Sequence, residues 1–464
     1  MTASARALGQ CSFLWFSVIS MVQLRQRLNS NLAQSNMNGV NMEKEGTQQP
    51  KFRASLTLFD AVSVSVGAII GGGIFVVTGI AAGLAGSALV VSMVVAALIS
   101  LLTALSFVEL TSWQPKEGSI YEYSYQLISP FAGFLVGWMW ILSNTFAGAA
   151  VSLGFAYYLI ALVPSLNPNL VAAFVCIAFT AINYYSVRES ALVNNILVTA
   201  KLLILTFFIG YGLMFMNTAN FVPFKPLDIG VFSGAVFFFF AYGGFARTAV
   251  VAEEVKDAKR NVPRAMLIAL TISIIVYILV GITAVGLIGA NRLASSNSPL
   301  EEAMKATGNP AASTIIALGG ILATASVLLT SILGVSRMTY AMAKRKHLPQ
   351  ALGKLDPKRN TPALATWIIG AIMTILVLVT DVSRVVAISS FAMLFFYTLA
   401  NISALRLKTD KRTYPRILPA LGAASCLALL IFEVFASLQS WIIGALALLA
   451  GAVYYVAKQK LKPT

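Results

Sequence analysis

Glycine clusters interrupt two apolar stretches of this sequence. Residues 71–73 are consecutive glycines within the stretch 67–75, and Gly243 and Gly244 lie within the stretch 237–245. Glycine weakens a helix by about 1 kcal/mol relative to alanine, so each cluster predicts a point at which a helix unwinds. Close packing of two helices is the alternative reading of either cluster taken alone.

An unwound helix exposes peptide groups that can bind a charged ligand. Free N–H groups near Gly72 and Gly73 suit a carboxylate, because the start of a helix carries partial positive charge. Free carbonyl groups near Phe240 and Ala241 suit an ammonium group. A zwitterion that carries both groups on one carbon atom is therefore the ligand that this pair of clusters predicts.

Lys201 also has potential for chemistry, because it lies about 11 residues inside the apolar stretch 190–216. At 1.5 Å per residue this is roughly 16 Å from the nearer end of a helix, too deep for the side chain to reach water. A charged lysine in hydrocarbon costs several kcal/mol unless it is paired or neutral. Three roles are open for Lys201. It could take up and release a proton that is coupled to movement of the helices, or it could lock neighbouring helices together. It could also be purely structural, bonded to carbonyl groups of the helix that contains residues 71–73.

The composition indicates that the elements around these residues are membrane helices. Hydrophobic residues make up 58% of the 464 residues and charged residues 11%, whereas a soluble domain has about 25% charged residues. Apolar stretches of about 20 residues, enough to cross a bilayer core of roughly 30 Å, recur along the chain and predict an all-α membrane protein with twelve spans. Spans 3 and 8 are long, which predicts tilt or an extension beyond the bilayer. The predicted limits are 57–83, 86–112, 129–161, 168–187, 190–216, 229–253, 264–290, 311–342, 362–380, 384–407, 415–435 and 438–457.

The two glycine clusters fall in spans 1 and 6, five spans apart. A repeat of five spans inverts the orientation of its second copy, since five is an odd number. The pattern therefore predicts an inverted five-plus-five repeat in which helices 1 and 6 are broken and a substrate site lies between them at mid-membrane. Spans 11 and 12 are then additions to this core.

Basic residues predict the orientation of the chain in the membrane. With the N-terminus in the cytoplasm, Lys and Arg in the inner segments outnumber those in the outer segments by about five to one. This asymmetry predicts that both termini are cytoplasmic. It also accounts for the formal net charge of +16, so no nucleic-acid partner is expected.

The sequence divides into three parts. The first part is predicted to be a disordered N-terminal extension. Its apolar run, 11–22, is too short to cross a membrane, and a polar run follows it. That run is alternatively a signal segment, and Met37 or Met42 is an alternative start of the protein. The parts are the extension, 1–50, the core with spans 1–10, 51–408, and spans 11 and 12 with the C-terminal tail, 409–464.

Residues that bind metals or form catalytic triads are scarce. The spacing of Cys11, Cys176 and Cys426 fits neither a metal site nor a disulfide framework, and the single histidine, His347, lies in a basic loop. No metal and no cofactor are therefore expected. A membrane-embedded transferase needs clustered carboxylates, and a channel needs a repeated filter or a ring of charges. The sequence shows neither pattern, so both classes are weak alternatives.

Four segments, in this order, resemble the amino acid–polyamine–organocation superfamily of transporters. Residues 67–75 are similar to its G-x-x-[IM]-G-[SAG]-G-[IV]-F motif, and Glu109 with residues 115–119 resembles its motif after span 2. Residues 238–264 resemble its span 6 and the loop that follows. Residues 336–349 are similar to the S-R-x-x-Y-A-M-A-R-x-x-x-L-P end of its span 8.

This resemblance, from residue 55 to about residue 457, implies a LeuT-like core and secondary transport of amino acids across the cell membrane by alternating access. It implies that Lys201 stands where sodium-coupled relatives bind an ion, and hence that transport is proton-coupled and sodium-independent. An exchanger, or a carrier of cationic amino acids or polyamines, is the alternative. Ala246 departs from some cation-selective members, which have glutamate there, and Gly72 departs from the serine that is frequent in the family.

The resemblance also implies a set of substrate-binding residues. The carboxylate end would be held at the first cluster, and the ammonium end at the second, with Phe240 as an aromatic gate. Three residues of span 3 would line the side-chain pocket. The expected set is Ile69, Gly71, Gly72, Gly73, Met139, Trp140, Asn144, Phe240, Ala241 and Gly243. Arg247, just after the second cluster, is interpreted as structural, either reaching the interface or paired with Glu253 or Glu254.

Overall fold

Helices form the framework of this chain in its computed structural model, which describes residues 55–115, 119–185, 191–357, 359, 361–409 and 412–460. These residues all belong to one compact unit, residues 53–464. Within the described part, the strand-like pairing is limited to an isolated parallel bridge between Leu56 and Val255. The all-α class is thus confirmed for these residues, and the predicted extension 1–50 lies outside them.

Each glycine cluster lies at a short turn of another helical type between two α-helices. A π-helical turn, Gly73–Val77, joins α1 to α2, and a 3-10 turn, Gly243–Ala246, joins α8 to α9. Residues 70–77, which include the first glycine cluster, are called the first joint, and residues 243–246, which include the second, are called the second joint. The helices are α1 Leu58–Ile69, α2 Thr78–Ala85, α3 Leu89–Trp113, α4 Ser119–Leu127, α5 Pro130–Leu162, α6 Pro168–Tyr184, α7 Ala191–Leu213, α8 Ile229–Tyr242, α9 Arg247–Val250, α10 Ala258–Ser295, α11 Pro299–Lys305, α12 Pro310–Lys344, α13 Ala363–Val379, α14 Val382–Arg406, α15 Ile417–Ala436 and α16 Leu438–Lys460.

Nine helical segments within the described residues are long and apolar enough to cross a membrane. The first of them, Leu58–Trp113, has 56 residues and covers predicted spans 1 and 2 together. Two shorter apolar helices, α6 and α13, lie at predicted spans 4 and 9. The chain is therefore an integral membrane protein, whereas the count of twelve spans and the inverted repeat stay predictions.

Polar caps and prolines determine where the long helices begin. Thr57 and Asp60 form a capping box at the start of α1, in which the Thr57 amide donates to a carboxylate oxygen of Asp60 at 2.9 Å. Ser129 and Asn309 accept amide hydrogen bonds at the starts of α5 and α12, each directly before a proline. These caps satisfy amides that a helix start would otherwise leave without a partner.

Helices α5 and α12 pack against the first joint. They contain 33 and 35 residues, in agreement with the length predicted for spans 3 and 8. Gly320 of α12 lies so close to α5 that an added Cβ would be 2.5 Å from the ring of Tyr158. The hydroxyl of Tyr158 donates to the carbonyl of Phe75, 2.7 Å away, in the π-helical turn. The uninterrupted helices α5 and α12 thus hold the π-helical turn between α1 and α2 in place.

Candidate functional site

The first joint is a true interruption of the helix. α1 ends at Ile69, and Ile70 has an extended backbone conformation with φ −78° and ψ 90°. The chain resumes as a π-helical turn at Gly73, and Gly72, which precedes this turn, provides no side-chain cap. The first amides of a helix have no partner within it, so the amides at the start of this turn need partners elsewhere, and that of Phe75 donates to the carbonyl of Gly71 at 3.5 Å.

The second joint differs, because the backbone there stays in the right-handed helical region. Gly243 has φ −58° and ψ −11°, and its amide donates to the carbonyl of Phe240. The 3-10 turn Gly243–Ala246 then leads directly into the single turn of α9. The helix therefore tightens instead of unwinding, and the carbonyl of Phe240, which the sequence predicts to be free, already accepts one hydrogen bond.

Glycine lets the two broken helices touch through their backbones. A Cβ added to Gly244 would lie 2.5 Å from the backbone nitrogen of Ile69, and one added to Gly73 would lie 2.8 Å from the Cα of Ala241. Real Cβ atoms do not approach other atoms this closely, so each position accepts only glycine without a shift of the backbone. Helix interruption and close packing, which the sequence leaves as alternatives, occur together at these glycines.

Side chains from neighbouring helices bind the carbonyls that the first interruption leaves free. The Lys201 ammonium group donates to the carbonyl oxygens of Gly67 and Ile70 at 3.2 and 3.0 Å, and the residue is 1% exposed. The Tyr277 hydroxyl donates to the carbonyl of Ile69 at 2.6 Å and lies 3.4 Å from that of Ala241. The contact of Lys201 with carbonyls of the first broken helix matches one of its three predicted roles, and its part in coupling stays a prediction.

Two valines cover the remaining glycines of the first joint. A Cβ on Gly71 would lie 2.2 Å from a methyl carbon of Val327 in α12, and one on Gly72 would lie 2.4 Å from a methyl carbon of Val151 in α5. The glycine segment is therefore enclosed by α5, α12 and the second broken helix. A larger side chain here must displace one of these neighbours.

A small cavity of about 40 Å³ adjoins the second joint. A water molecule needs roughly 10–15 Å³ of such volume, so the cavity holds a few waters at most, and a larger ligand requires the helices to separate. Its lining includes Trp140, Asn144, Gly243, Ala246, Arg247 and Tyr397. Three of these, Trp140, Asn144 and Gly243, belong to the set expected from the sequence.

The other expected residues lie in three places. Ile69, Gly71, Gly72 and Gly73 form the first joint, and Phe240 and Ala241 form the end of α8 that faces it. Met139 is buried in a separate cluster with Phe391 and Ala392 and does not line the cavity. The structure thus brings the two joints together, with Trp140 and Asn144 beside the second, and places Met139 on another face of α5.

Two tyrosines that organise the site were not identified from the sequence, and Arg247, interpreted there as structural, makes a contact that was not predicted. Tyr397 donates its hydroxyl to the carbonyl of Gly243 at 2.6 Å, and Arg247 donates to the side-chain oxygen of Asn144 at 3.4 Å. Tyr277 joins the two joints, as described above. A signal for both tyrosines exists in the sequence, because a hydroxyl inside an apolar span requires a hydrogen-bond partner and a broken helix supplies free carbonyls.

Comparison with known proteins identifies the kind of molecule that carries this site. The sequence profile of the family described as amino acid permease matches residues 56–456. The chain belongs to the amino acid permease family. It is therefore a membrane transporter and not an enzyme.

Three relatives of this amino acid permease show the breadth of the family. An uncharacterized transporter of Mycobacterium tuberculosis is 35% identical over 82% of this chain and 86% of its own length. The branched-chain amino acid permease of Bacillus subtilis is 30% identical over 82% of this chain and 89% of its own. The methylthioribose transporter of Bacillus subtilis is 30% identical over 80% of this chain and 87% of its own.

Proposed function

We propose that this permease is a secondary active transporter that moves amino acids across the cell membrane by alternating access. The observation that carries the proposal is the interruption of α1 at residues 70–72, directly against the end of α8. Broken helices at membrane depth are tolerated where they line a substrate site or are buried in protein, and the exposed peptide dipoles suit charged groups.

In the proposed site the two joints bind opposite ends of a zwitterion. Amides at the start of the π-helical turn, beside Gly72 and Gly73, bind the carboxylate. The carbonyls of Phe240 and Ala241 bind the ammonium group as second hydrogen-bond acceptors, beside the Gly243 amide and the Tyr277 hydroxyl, since a carbonyl oxygen accepts two hydrogen bonds. Ile69 and Gly71 shape the first joint and Gly243 the second.

The substrate side chain is proposed to enter beside Trp140 and Asn144, which line the cavity. Phe240 closes this pocket as an aromatic gate. Met139 has the least support within the proposed set, because it faces Phe391 and Ala392. The lining is mostly apolar, which favours neutral side chains, and its Arg247 guanidinium disfavours cationic ones.

Lys201 is proposed to couple transport to protons without sodium. Its ammonium group lies at carbonyls near the end of α1, where a helix terminus attracts a cation, so a sodium ion has no vacant position there. Loss of the proton removes the charge that these carbonyls bind and loosens α1 from α7. Protonation and movement of the broken helix are thereby linked.

The remaining parts of the proposal concern arrangement in the membrane. The proposed topology has twelve spans in a LeuT-like five-plus-five repeat with two added helices and both termini in the cytoplasm. The excess of Lys and Arg on one side supports this orientation. On this basis α9 and the residues after it lie on the cytoplasmic side of the site.

Thermal unfolding of the purified protein with each of the twenty amino acids tests the proposed function. A ligand that binds only the folded state raises the unfolding temperature, and neutral amino acids are expected to do so. Methylthioribose is a second candidate ligand, because one relative is named as its transporter. Stabilisation by methylthioribose alone, or by none of the amino acids together with no uptake into proteoliposomes, would overturn the proposal.

Imposed gradients in proteoliposomes test the coupling. An inward proton gradient is expected to accelerate uptake, and replacement of sodium by choline is expected to leave it unchanged. Uptake that requires amino acid on the opposite side and ignores both gradients would identify an exchanger. Uptake confined to arginine, lysine or polyamines would support the cationic alternative.

A further inference from the structure

Arg247 connects the second broken helix to two continuous helices. It is the first residue of α9, directly after the 3-10 turn, and its half-buried side chain lines the cavity. One terminal nitrogen donates to the side-chain oxygen of Asn144 in α5 at 3.4 Å. The other lies 2.8 Å from the place that a Cβ on Gly334 of α12 would occupy.

Gly334 provides the space in which the guanidinium group lies. A Cβ at this position would be 3.3 Å from the indole of Trp140 as well as 2.8 Å from the Arg247 nitrogen. A side chain larger than hydrogen would therefore push the guanidinium away from α12. Trp140, Asn144 and Gly334 together form a seat for it, built from two helices that the glycine clusters do not interrupt.

Alternating access requires the broken helices to move relative to the continuous ones. A contact that joins α9 to both α5 and α12 has to break whenever the cavity opens on that side. The 3.4 Å between Arg247 and Asn144 exceeds the roughly 2.7–3.2 Å of an ordinary N–H···O bond, so this hydrogen bond is weak and costs little to break. Arginine also retains its charge in every step, so the contact does not depend on pH.

We propose that Arg247 is a latch that holds the cavity closed on the side of α9, by seating its guanidinium between Asn144 of α5 and Gly334 of α12. The inference rests on the proposed function, because it assumes alternating access. It assigns Arg247 a positioning role rather than a substrate contact. Release of the latch increases the fraction of time for which the cavity is open on that side.

Cysteine labelling measures this opening without any substrate. Ala246 lines the cavity next to the latch, so Ala246→Cys in a background without Cys11, Cys176 and Cys426 reports access from one side of the membrane. A membrane-impermeant maleimide is applied to each side in separate experiments. We expect Arg247→Ala to increase the rate from the α9 side at least about fivefold, which corresponds to a loss of roughly 1 kcal/mol.

Three further variants distinguish loss of the latch from a general destabilisation of the protein. Gly334→Ala fills the seat and keeps the arginine, so it is expected to increase labelling as well, whereas Arg247→Lys, which keeps the charge but not the planar fork, is expected to give an intermediate rate. Arg260→Ala is the matched control, because this exposed arginine of α10 lies outside the cavity lining. Unfolding is measured in a second background that keeps Ala246 and Cys426 and lacks Cys11 and Cys176, because Cys426, which is 0% exposed, is labelled only if the variant unfolds.

The outcomes distinguish the latch from the proposed function. Equal labelling of Ala246→Cys with and without Arg247, or an increase matched by labelling of Cys426, would overturn the latch. An increase from the side opposite α9 would overturn it too. If the labelling changes as expected while the wild-type protein binds no amino acid, the latch stands and the proposed substrate fails.

Discussion

The two joints carry similar glycine clusters but have different structures. At the first, Ile70 leaves the helical conformation, and Lys201 and Tyr277 bind the carbonyls that are set free. At the second, the backbone tightens into a 3-10 turn, where the amide of Gly243 donates to the carbonyl of Phe240 and that of Arg247 to the carbonyl of Gly244. Glycine therefore weakens a helix at both places, but only side chains able to replace the lost hydrogen bonds allow it to open fully.

This difference assigns different tasks to the joints. The first interrupts the helix at Ile70, so the amides at the start of its π-helical turn are the ones proposed to bind the carboxylate. The second supplies a compact hinge between α8 and α9, with Arg247 directly beyond it. Substitutions at equivalent positions of the two joints should therefore differ in kind as well as in size.

The largest effect is expected from Gly72→Leu at the first joint. An added Cβ already lies 2.4 Å from Val151, and overpacking of this kind costs about 1–3 kcal/mol while the side chain also blocks the amides. Uptake in proteoliposomes should fall about 100-fold, because the upper end of this range is about 3 kcal/mol and each 1.4 kcal/mol is a factor of ten. Gly210→Leu is the matched control, because a Cβ on this glycine of α7 meets nothing within 4 Å.

Membrane insertion distinguishes a blocked site from a misfolded protein. Gly72→Leu and Gly210→Leu should both be inserted and should elute as single species on size exclusion. Unchanged uptake by a correctly inserted Gly72→Leu protein would show that the first joint does not bind substrate.

A smaller but still large effect is expected from Gly244→Ala at the second joint. Its Cβ would lie 2.5 Å from backbone atoms of Ala68 and Ile69, which cannot rotate away as a valine side chain can. The two broken helices must separate slightly, so we expect a lower unfolding temperature and uptake reduced about tenfold, for a cost of roughly 1–2 kcal/mol. Gly83→Ala, whose Cβ would meet Ala294 at an ordinary 3.4 Å, should retain wild-type uptake. A Gly244→Ala protein with wild-type stability and uptake would show that the close contact is dispensable.

Features of the two joints that depend on local residues can be predicted from the sequence, whereas those that depend on contacts between distant residues cannot. The glycine clusters predict both joints, because helix weakening is a local property of the residues themselves. The depth of Lys201 predicts that it needs partners, and bonding to carbonyls of the first broken helix is among its predicted roles. The choice between extended and 3-10 backbone, by contrast, depends on tertiary contacts of Lys201 and Tyr277 with residues more than a hundred positions away.

Two further features of the site depend on how the helices pack and rotate. Arg247 reaches Asn144 only because α9 lies beside α5, and Met139 and Trp140, one position apart, face different clusters. Neighbouring residues of a helix point about 100° apart. A sequence motif therefore does not show which of the two faces the pocket unless the rotation of the helix about its axis is known. Hydropathy predicts where a span begins and ends, but not how the helix is rotated about its axis.

Substitutions of Lys201 test whether the first joint couples transport to protons. Lys201→Ala leaves the carbonyls of Gly67 and Ile70 without this donor, so uptake should fall about tenfold, as unsatisfied buried groups cost about 1–3 kcal/mol. Lys201→Gln retains a donor that does not titrate, so the remaining uptake should lose its dependence on pH. Lys225→Ala, an exposed lysine, is the control. If Lys201→Gln keeps the wild-type pH profile, Lys201 is structural and the proposed coupling is wrong.

The smallest effects, and the sharpest comparison of the joints, are expected from two tyrosine hydroxyls. Tyr277→Phe removes the 2.6 Å bond to Ile69, whose carbonyl has lost its helical partner, whereas Tyr397→Phe removes the 2.6 Å bond to Gly243 within a turn that is otherwise bonded. Both hydroxyls are buried, so each loss costs about 1–3 kcal/mol, with Tyr277→Phe at the upper end. Unfolding temperatures of the two variants should therefore fall in that order, and the Michaelis constant for substrate should rise more for Tyr277→Phe because the first joint binds the carboxylate. Equal shifts in both measurements would mean that the joints are energetically alike, and that the extended conformation of Ile70 does not depend on the side chains around it.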